Sequence, residues 1–182
     1  MKFERLAIEG LLLITPNRIG DARGFFVETF RADKFEAEAG PFRFVQDNHS
    51  FSAPRGTVRG LHYQKAPHAQ GKLVRVLRGA ILDVAVDIRK GSATFGQHVA
   101  VELSDENSQQ LWVPPGFLHG FCTLNENTEV VYKVTDFYAP ACDAGVRWND
   151  PALGIPWPVS EAEASLSAKD RAAPLFADVA PM

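Results

Sequence analysis

Four short segments concentrate the residue types that move protons and hold anions. Thr57-Val-Arg59-Gly-Leu-His62-Tyr-Gln64 sets an arginine and a histidine within four residues, and Lys72 follows ten positions after the histidine. A histidine ordinarily titrates near neutral pH, so it is suited to taking a weakly acidic proton. Arginine carries a planar fork that matches phosphate oxygens, and lysine supplies a point charge for a developing oxyanion. In an extended strand His62 shares a face with Gly60 and Gln64, while Arg59, Leu61 and Tyr63 take the other. A second segment, Val113-Pro-Pro-Gly-Phe-Leu-His119-Gly-Phe121, turns sharply at its proline and glycine before a strand that carries His119. Arg23-Gly-Phe-Phe-Val-Glu28 and Gln46-Asp47-Asn48-His49-Ser50 add charges and amides that could hold a diphosphate, a base or a sugar.

These residues must be held by strands. Short β-rich runs broken by turn residues dominate the chain, as at Gly24–Phe30, Phe42–Ser52, Gly96–Leu103, Gln109–Val113, Gly120–Leu124 and Glu129–Thr135. Lys72–Arg78, Gly79-Ala80 and Ile81–Asp87 read as a β-hairpin. Alternation within it puts Leu82, Val84 and Val86 on one face and Asp83, Ala85 and Asp87 on the other, with the two carboxylates expected in solvent. One early helix is predicted over Arg31–Ala39, stopping at Gly40-Pro41, and a short helical patch over Glu161–Leu166. Trp148–Pro158 reads as irregular. Many closely spaced strands and few helices predict an all-β sandwich or closed barrel, one domain over residues 1–182 with a few short peripheral helices.

Composition narrows the function classes. Net charge is -3, so no global basic field recruits nucleic acid, although a local arginine cluster can still bind a phosphate. The apolar patch Gly10-Leu-Leu-Leu-Ile14 is far shorter than the ~20 residues of a membrane span, and no cleavage-site pattern follows it. A cytoplasmic protein that does not engage membranes is expected. Cys122 and Cys142 are too few for a disulfide framework and are expected to be reduced.

Taken together the motifs resemble one family. Pro-x-Gly-x-x-His, ending at His119, is similar to the second motif of the cupin superfamily. The first cupin motif is missing its metal ligands, because Tyr63 and Gln64 follow His62 in place of a spaced second histidine. Asp21-Ala-Arg-Gly-Phe-Phe26, Gln46-Asp-Asn-His-Ser50, Gly56-Thr-Val-Arg-Gly-Leu-His-Tyr-Gln64, Gln70-Gly-Lys-Leu-Val74, Pro114-Pro-Gly-Phe-Leu-His-Gly-Phe121, Tyr132-Lys133 and Trp148-Asn-Asp-Pro-Ala-Leu-Gly-Ile155 occur in the order and spacing of the dTDP-4-dehydrorhamnose 3,5-epimerases. The resemblance runs from about Ile8 to Asp170, nearly the whole chain.

What the resemblance implies is a cupin-type jelly roll, a homodimer, and no metal or organic cofactor. The implied reaction inverts carbons 3 and 5 of dTDP-4-dehydro-6-deoxy-D-glucose on the route to dTDP-L-rhamnose. On matching positions His62 would be the base, Tyr132 the acid on the opposite face and Lys72 the counter-charge of the enolate. Asp170 would orient His62, with Asp83 the other carboxylate that could do so. Arg59 and His119 would hold the diphosphate and sugar. Arg23, Phe26, Glu28, Gln46, Asp47, Asn48, Asp143 and Lys169 would contact substrate, and Tyr138 would stack on the thymine. Asp143 stands where the family usually has glutamate, one methylene longer. Three other readings remain: an epimerase acting at carbon 3 or carbon 5 alone, a cupin that binds a sugar nucleotide without turning it over, and a metal-dependent cupin oxygenase.

Overall fold

The computed structural model describes residues 1–182. In chain order the strands are β1 (Lys2–Arg5), β2 (Leu12–Thr15), β3 (Arg18–Asp21), β4 (Gly24–Val27), β5 (Gln46–Ser52), β6 (Val58–Gln64), β7 (Lys72–Arg78), β8 (Ala80–Asp87), β9 (His98–Ser104), β10 (Gln110–Val113), β11 (Phe117–Thr123), β12 (Thr128–Val134) and β13 (Asp143–Gly145). Helix α1 (Ala32–Ala39) follows β4, and a single-turn helix α2 (Ala168–Arg171) lies near the C-terminus. A six-stranded sheet runs β1-β2-β10-β7-β12-β5, and a five-stranded sheet runs β13-β6-β11-β8-β9. Strands β3 and β4 form a separate two-stranded ribbon.

The main core lies between the two large sheets. Val74 and Val76 of β7, Leu111 and Val113 of β10 and Val130 of β12 meet Ile81 and Ala85 of β8, Leu103 of β9 and Phe117 and Phe121 of β11. Each of these side chains other than Ala85 contributes about 1.5–3 kcal/mol when withdrawn from water. Both sheets are also covered outside, which explains why several strands read as continuous apolar runs. Helix α1 lays Phe35 against Trp112 on the six-stranded sheet, ring centroids 5.0 Å apart and edge to face. The C-terminal segment packs Leu153 and Trp157 over Leu61, Val84, Val86 and Leu118 of the five-stranded sheet.

The expected hairpin of Lys72–Arg78 and Ile81–Asp87 does not form. Strand β7 pairs with β10 and β12, whereas β8 pairs with β11 and β9. Gly79, with a φ of 79°, turns the chain from one sheet into the other, and a Cβ there would lie 2.7 Å from the Thr128 hydroxyl. Inner faces of β7 and β8 therefore oppose each other across the barrel. Asp83 and Asp87 are fully buried, not solvated. The predicted patch Glu161–Leu166 is not helical; the local helix is α2, begun where the Ser167 side chain accepts the backbone N–H of Asp170. No helix is long and apolar enough to cross a membrane.

Candidate active site

A cavity of about 210 Å³ opens at one end of the barrel between the two sheets. His62 enters it from β6 of the five-stranded sheet, and Lys72 and Tyr132 enter from β7 and β12 of the six-stranded sheet. Gln46, Asn48, Tyr138, Asp143 and Lys169 line its rim.

Strand β6 does not keep simple alternation. His62 is paired with His119 and Arg59 with Phe121, so three steps along β6 match two along β11. Since His119 and Phe121 lie two apart on the same face, this bulge brings Arg59 and His62 to one face as well. The expected opposition of Arg59 to His62 is thereby overturned. The bulge needs glycine: Gly60 has a φ of 133°, and a Cβ there would stand 2.5 Å from the Gly120 Cα.

His62 donates from Nε2 to Asp170 Oδ1 at 2.5 Å, which leaves Nδ1 as its free acceptor. Asp170 is almost wholly buried, and its second oxygen accepts the Ser167 hydroxyl at 2.8 Å. Burial alone would raise the Asp170 pKa. The hydrogen bond and charge of His62, the Ser167 hydroxyl and Lys169 outweigh it and hold the carboxyl below its ordinary range. The carboxylate that orients His62 is therefore Asp170. Asp83 is engaged elsewhere, with Oδ1 accepting from His119 Nε2 at 2.7 Å.

Burial raises the Tyr132 phenol against a small opposing effect of Arg59, so it holds its proton at neutral pH. Burial pulls Lys72 down to about 8, with Asp83 and Asp143 pushing it back up. At the rim Asp143 accepts from Lys169 and, at 3.0 Å, from Tyr138 Oη. Tyr138 is otherwise exposed, and its backbone N–H donates to Gln46 Oε1 at 3.1 Å. Gln46 in turn donates to Asn48 Oδ1 at 2.9 Å. Arg59 does not line the cavity; it donates to Ser52 Oγ and the Phe51 carbonyl, near enough for its charge to act on Tyr132.

Several expected contacts lie elsewhere. Asp47 alternates with Gln46 and Asn48 on β5, so it points to the outer face and pairs with Lys133 at 2.9 Å. His119 is buried behind the cavity wall against Asp83. Arg23, Phe26 and Glu28 belong to the β3–β4 ribbon and its exit, away from this chain's own cavity; Arg23 is paired only with Asp21, and Phe26 is 72% exposed. Conversely, Tyr63, Gln64 and Gln70 line the cavity without having been expected there. Gln64 ties down the loop that carries Tyr138, donating to the His68 and Phe137 carbonyls and accepting from the Ala139 N–H. Its position two residues from His62 was the available signal. No three His, Cys, Asp or Glu side chains converge as a metal site would require.

The model of the dTDP-4-dehydrorhamnose 3,5-epimerase family matches residues 5–178. The chain belongs to that family. It is 54% identical over 179 residues to the Pseudomonas aeruginosa dTDP-4-dehydrorhamnose 3,5-epimerase, covering 98% of this chain and 97% of that one. The crystal structure of the Legionella pneumophila dTDP-6-deoxy-D-glucose-3,5-epimerase in complex with dTDP-4-keto-L-rhamnose superposes with a TM-score of 0.93 at 48% identity, covering 98% of this chain and 94% of that chain. A Streptomyces niveus dTDP-4-dehydrorhamnose 3-epimerase is 38% identical over 98% of this chain and 85% of its own length. The barrel is the cupin-type jelly roll of these epimerases.

Proposed function

We propose that this epimerase inverts carbons 3 and 5 of dTDP-4-dehydro-6-deoxy-D-glucose through His62 and Tyr132 acting from opposite walls of the cavity. One observation carries the residue roles: His62, held by Asp170 of α2, stands on one sheet, and the tyrosine and lysine stand on the facing sheet. Hydrogens beside a ketone are weakly acidic because the carbanion delocalises onto oxygen. His62 Nδ1 takes such a proton, and Asp170 stabilises the imidazolium that results. The electron pair moves onto the carbonyl oxygen, where the Lys72 ammonium meets the charge. Tyr132 Oη then delivers its proton to the same carbon from the other face, inverting it. Solvent restores both groups, and no net oxidation or reduction is involved.

Asn48, Gln46, Lys169 and Asp143 at the rim are suited to hold the sugar and nucleotide, and Tyr138 offers a ring for the base. The exposed β3–β4 ribbon supports a homodimer. Ile19, Phe25 and Phe26 are 67%, 56% and 72% exposed on a two-stranded element that has no third strand. We propose further that in the dimer this ribbon reaches the partner's cavity mouth and brings Arg23, Phe26 and Glu28 to it.

Turnover in deuterated water followed by proton NMR tests the reaction. Loss of two carbon-bound proton signals, at positions 3 and 5, is expected. Exchange at one position alone would make this a single-site epimerase, and exchange at neither would leave a binding protein.

A further inference from the structure

Asp83 is a buried carboxylate to which the reaction scheme gives no task. It has no exposed surface, and while Oδ1 is held by His119 at 2.7 Å, Oδ2 is buried without any hydrogen-bond partner. A carboxylate oxygen left so costs several kcal/mol unless a nearby charge compensates. Lys72 extends inward from β7 and Asp83 inward from β8 of the facing sheet; no ion pair within 4.0 Å joins them, and the Asp83 charge acts on Lys72 through the intervening space. We propose that Asp83 is a positioning residue whose carboxylate keeps the Lys72 ammonium charged and aimed at the substrate oxygen, with His119 fixing the carboxylate from behind.

Other groups face Lys72 as well. His62 and Tyr63 approach from β6, Tyr132 from β12, Asp143 from β13 and Lys169 from α2. Among them Lys169 opposes the charge on Lys72, Asp143 supports it, and burial is the largest influence against it. Asp143 already serves Lys169 and Tyr138. Asp83, by contrast, has a whole oxygen without a hydrogen-bond partner, which leaves its charge free to act on Lys72.

The inference rests on Lys72 as the counter-charge of the enolate, and the test separates the two. Asp83→Asn removes the support, so the Lys72 pKa falls and the alkaline limb of the kcat profile moves about one pH unit toward acid. The activity lost at pH 8.5 then exceeds that lost at pH 6.5 by about sixfold. A loss uniform across pH, with the limb at its wild-type position, would overturn the role of Asp83. Lys72→Met is expected to be inactive; if it turns over normally, the Lys72 assignment fails first. A second measurement covers an Asp83→Asn protein that does not fold. Lys72→Met strands the Asp83 charge, so adding Asp83→Asn should raise the melting temperature of the Lys72→Met protein. An equal or lower melting temperature in the double variant refutes the pairing.

Discussion

Asp170→Asn is the most telling perturbation of the base, because the surrounding hydrogen bonds dictate how the amide must sit. The Ser167 hydroxyl accepts from the Asp170 backbone N–H at 3.0 Å, so its own hydrogen points to Oδ2. In the variant the amide oxygen takes that hydrogen, and the amide NH2 faces His62 Nε2. A donor at Nε2 forces the imidazole proton onto Nδ1, the atom that has to be bare to act as base. Charge is lost as well. With Nε2 and Oδ1 at 2.5 Å, the charge centres of imidazolium and carboxylate stand roughly 4 Å apart, worth about 4 kcal/mol at an effective dielectric near 20. At ~1.4 kcal/mol per decade of rate this is about a thousandfold in kcat, before any tautomer penalty. Substrate binding should barely change, since Asp170 lies behind His62 and does not line the cavity. The assay is kcat, KM and the rate of deuterium entry into the substrate, alongside circular dichroism to confirm folding. Ser167→Ala should lose about tenfold, in keeping with one hydrogen bond to a charged group. If Asp170→Asn kept kcat within tenfold of wild type, or changed KM alone, His62 would not depend on Asp170 and the base assignment would fall.

Tyr132→Phe should still exchange substrate protons through His62 while formation of the inverted product drops by about 10²–10⁴-fold, and NMR reads both in one experiment; equal losses of exchange and inversion would remove Tyr132 as the acid. Mixing Arg23→Ala with His62→Ala subunits should restore up to about a quarter of wild-type activity in a random mixture of dimers, because one mixed-dimer site regains both residues; no recovery after confirmed subunit exchange would place the ribbon over its own cavity. Asp87 is buried and accepts from Arg89, Ser92 and Thr94, at 2.6 Å for each of the shortest contacts. Burial alone would raise it, but these partners hold it far below the ordinary carboxylate range. Its contribution to stability is therefore complete above the unfolded value of about 4 and is lost as pH falls toward the folded value. Asp87→Ala should cost about 3–5 kcal/mol at pH 7, measured by urea unfolding, and the gap to wild type should narrow below pH 4; a gap independent of pH would contradict that linkage.

The sequence by itself determined which residue types were available and the class of fold. Strand runs, the turn at Pro114–Gly116 and the clustered motifs are local, and local chemistry is legible without neighbours. Most of the cavity's polar residues, His62, Lys72, Tyr132, Gln46, Asn48, Asp143 and Lys169, could be named on that basis and on family resemblance. Alternation along β5 separates Asp47 from Gln46 and Asn48, a signal that the expectation of all three as substrate contacts did not use. What only the tertiary structure decided were the pairings. The bulge at Gly60 and Leu61 exists because β11 offers two positions where β6 offers three, so the common face of Arg59 and His62 depends on the partner strand. The corner at Gly79 replaced a hairpin with two facing walls, since β7 and β8 find better-placed partners in separate sheets. The choice of Asp170 over Asp83 rests on a contact 108 residues apart in sequence. Such contacts come from how the whole chain closes on its core, and no short-range pattern records them.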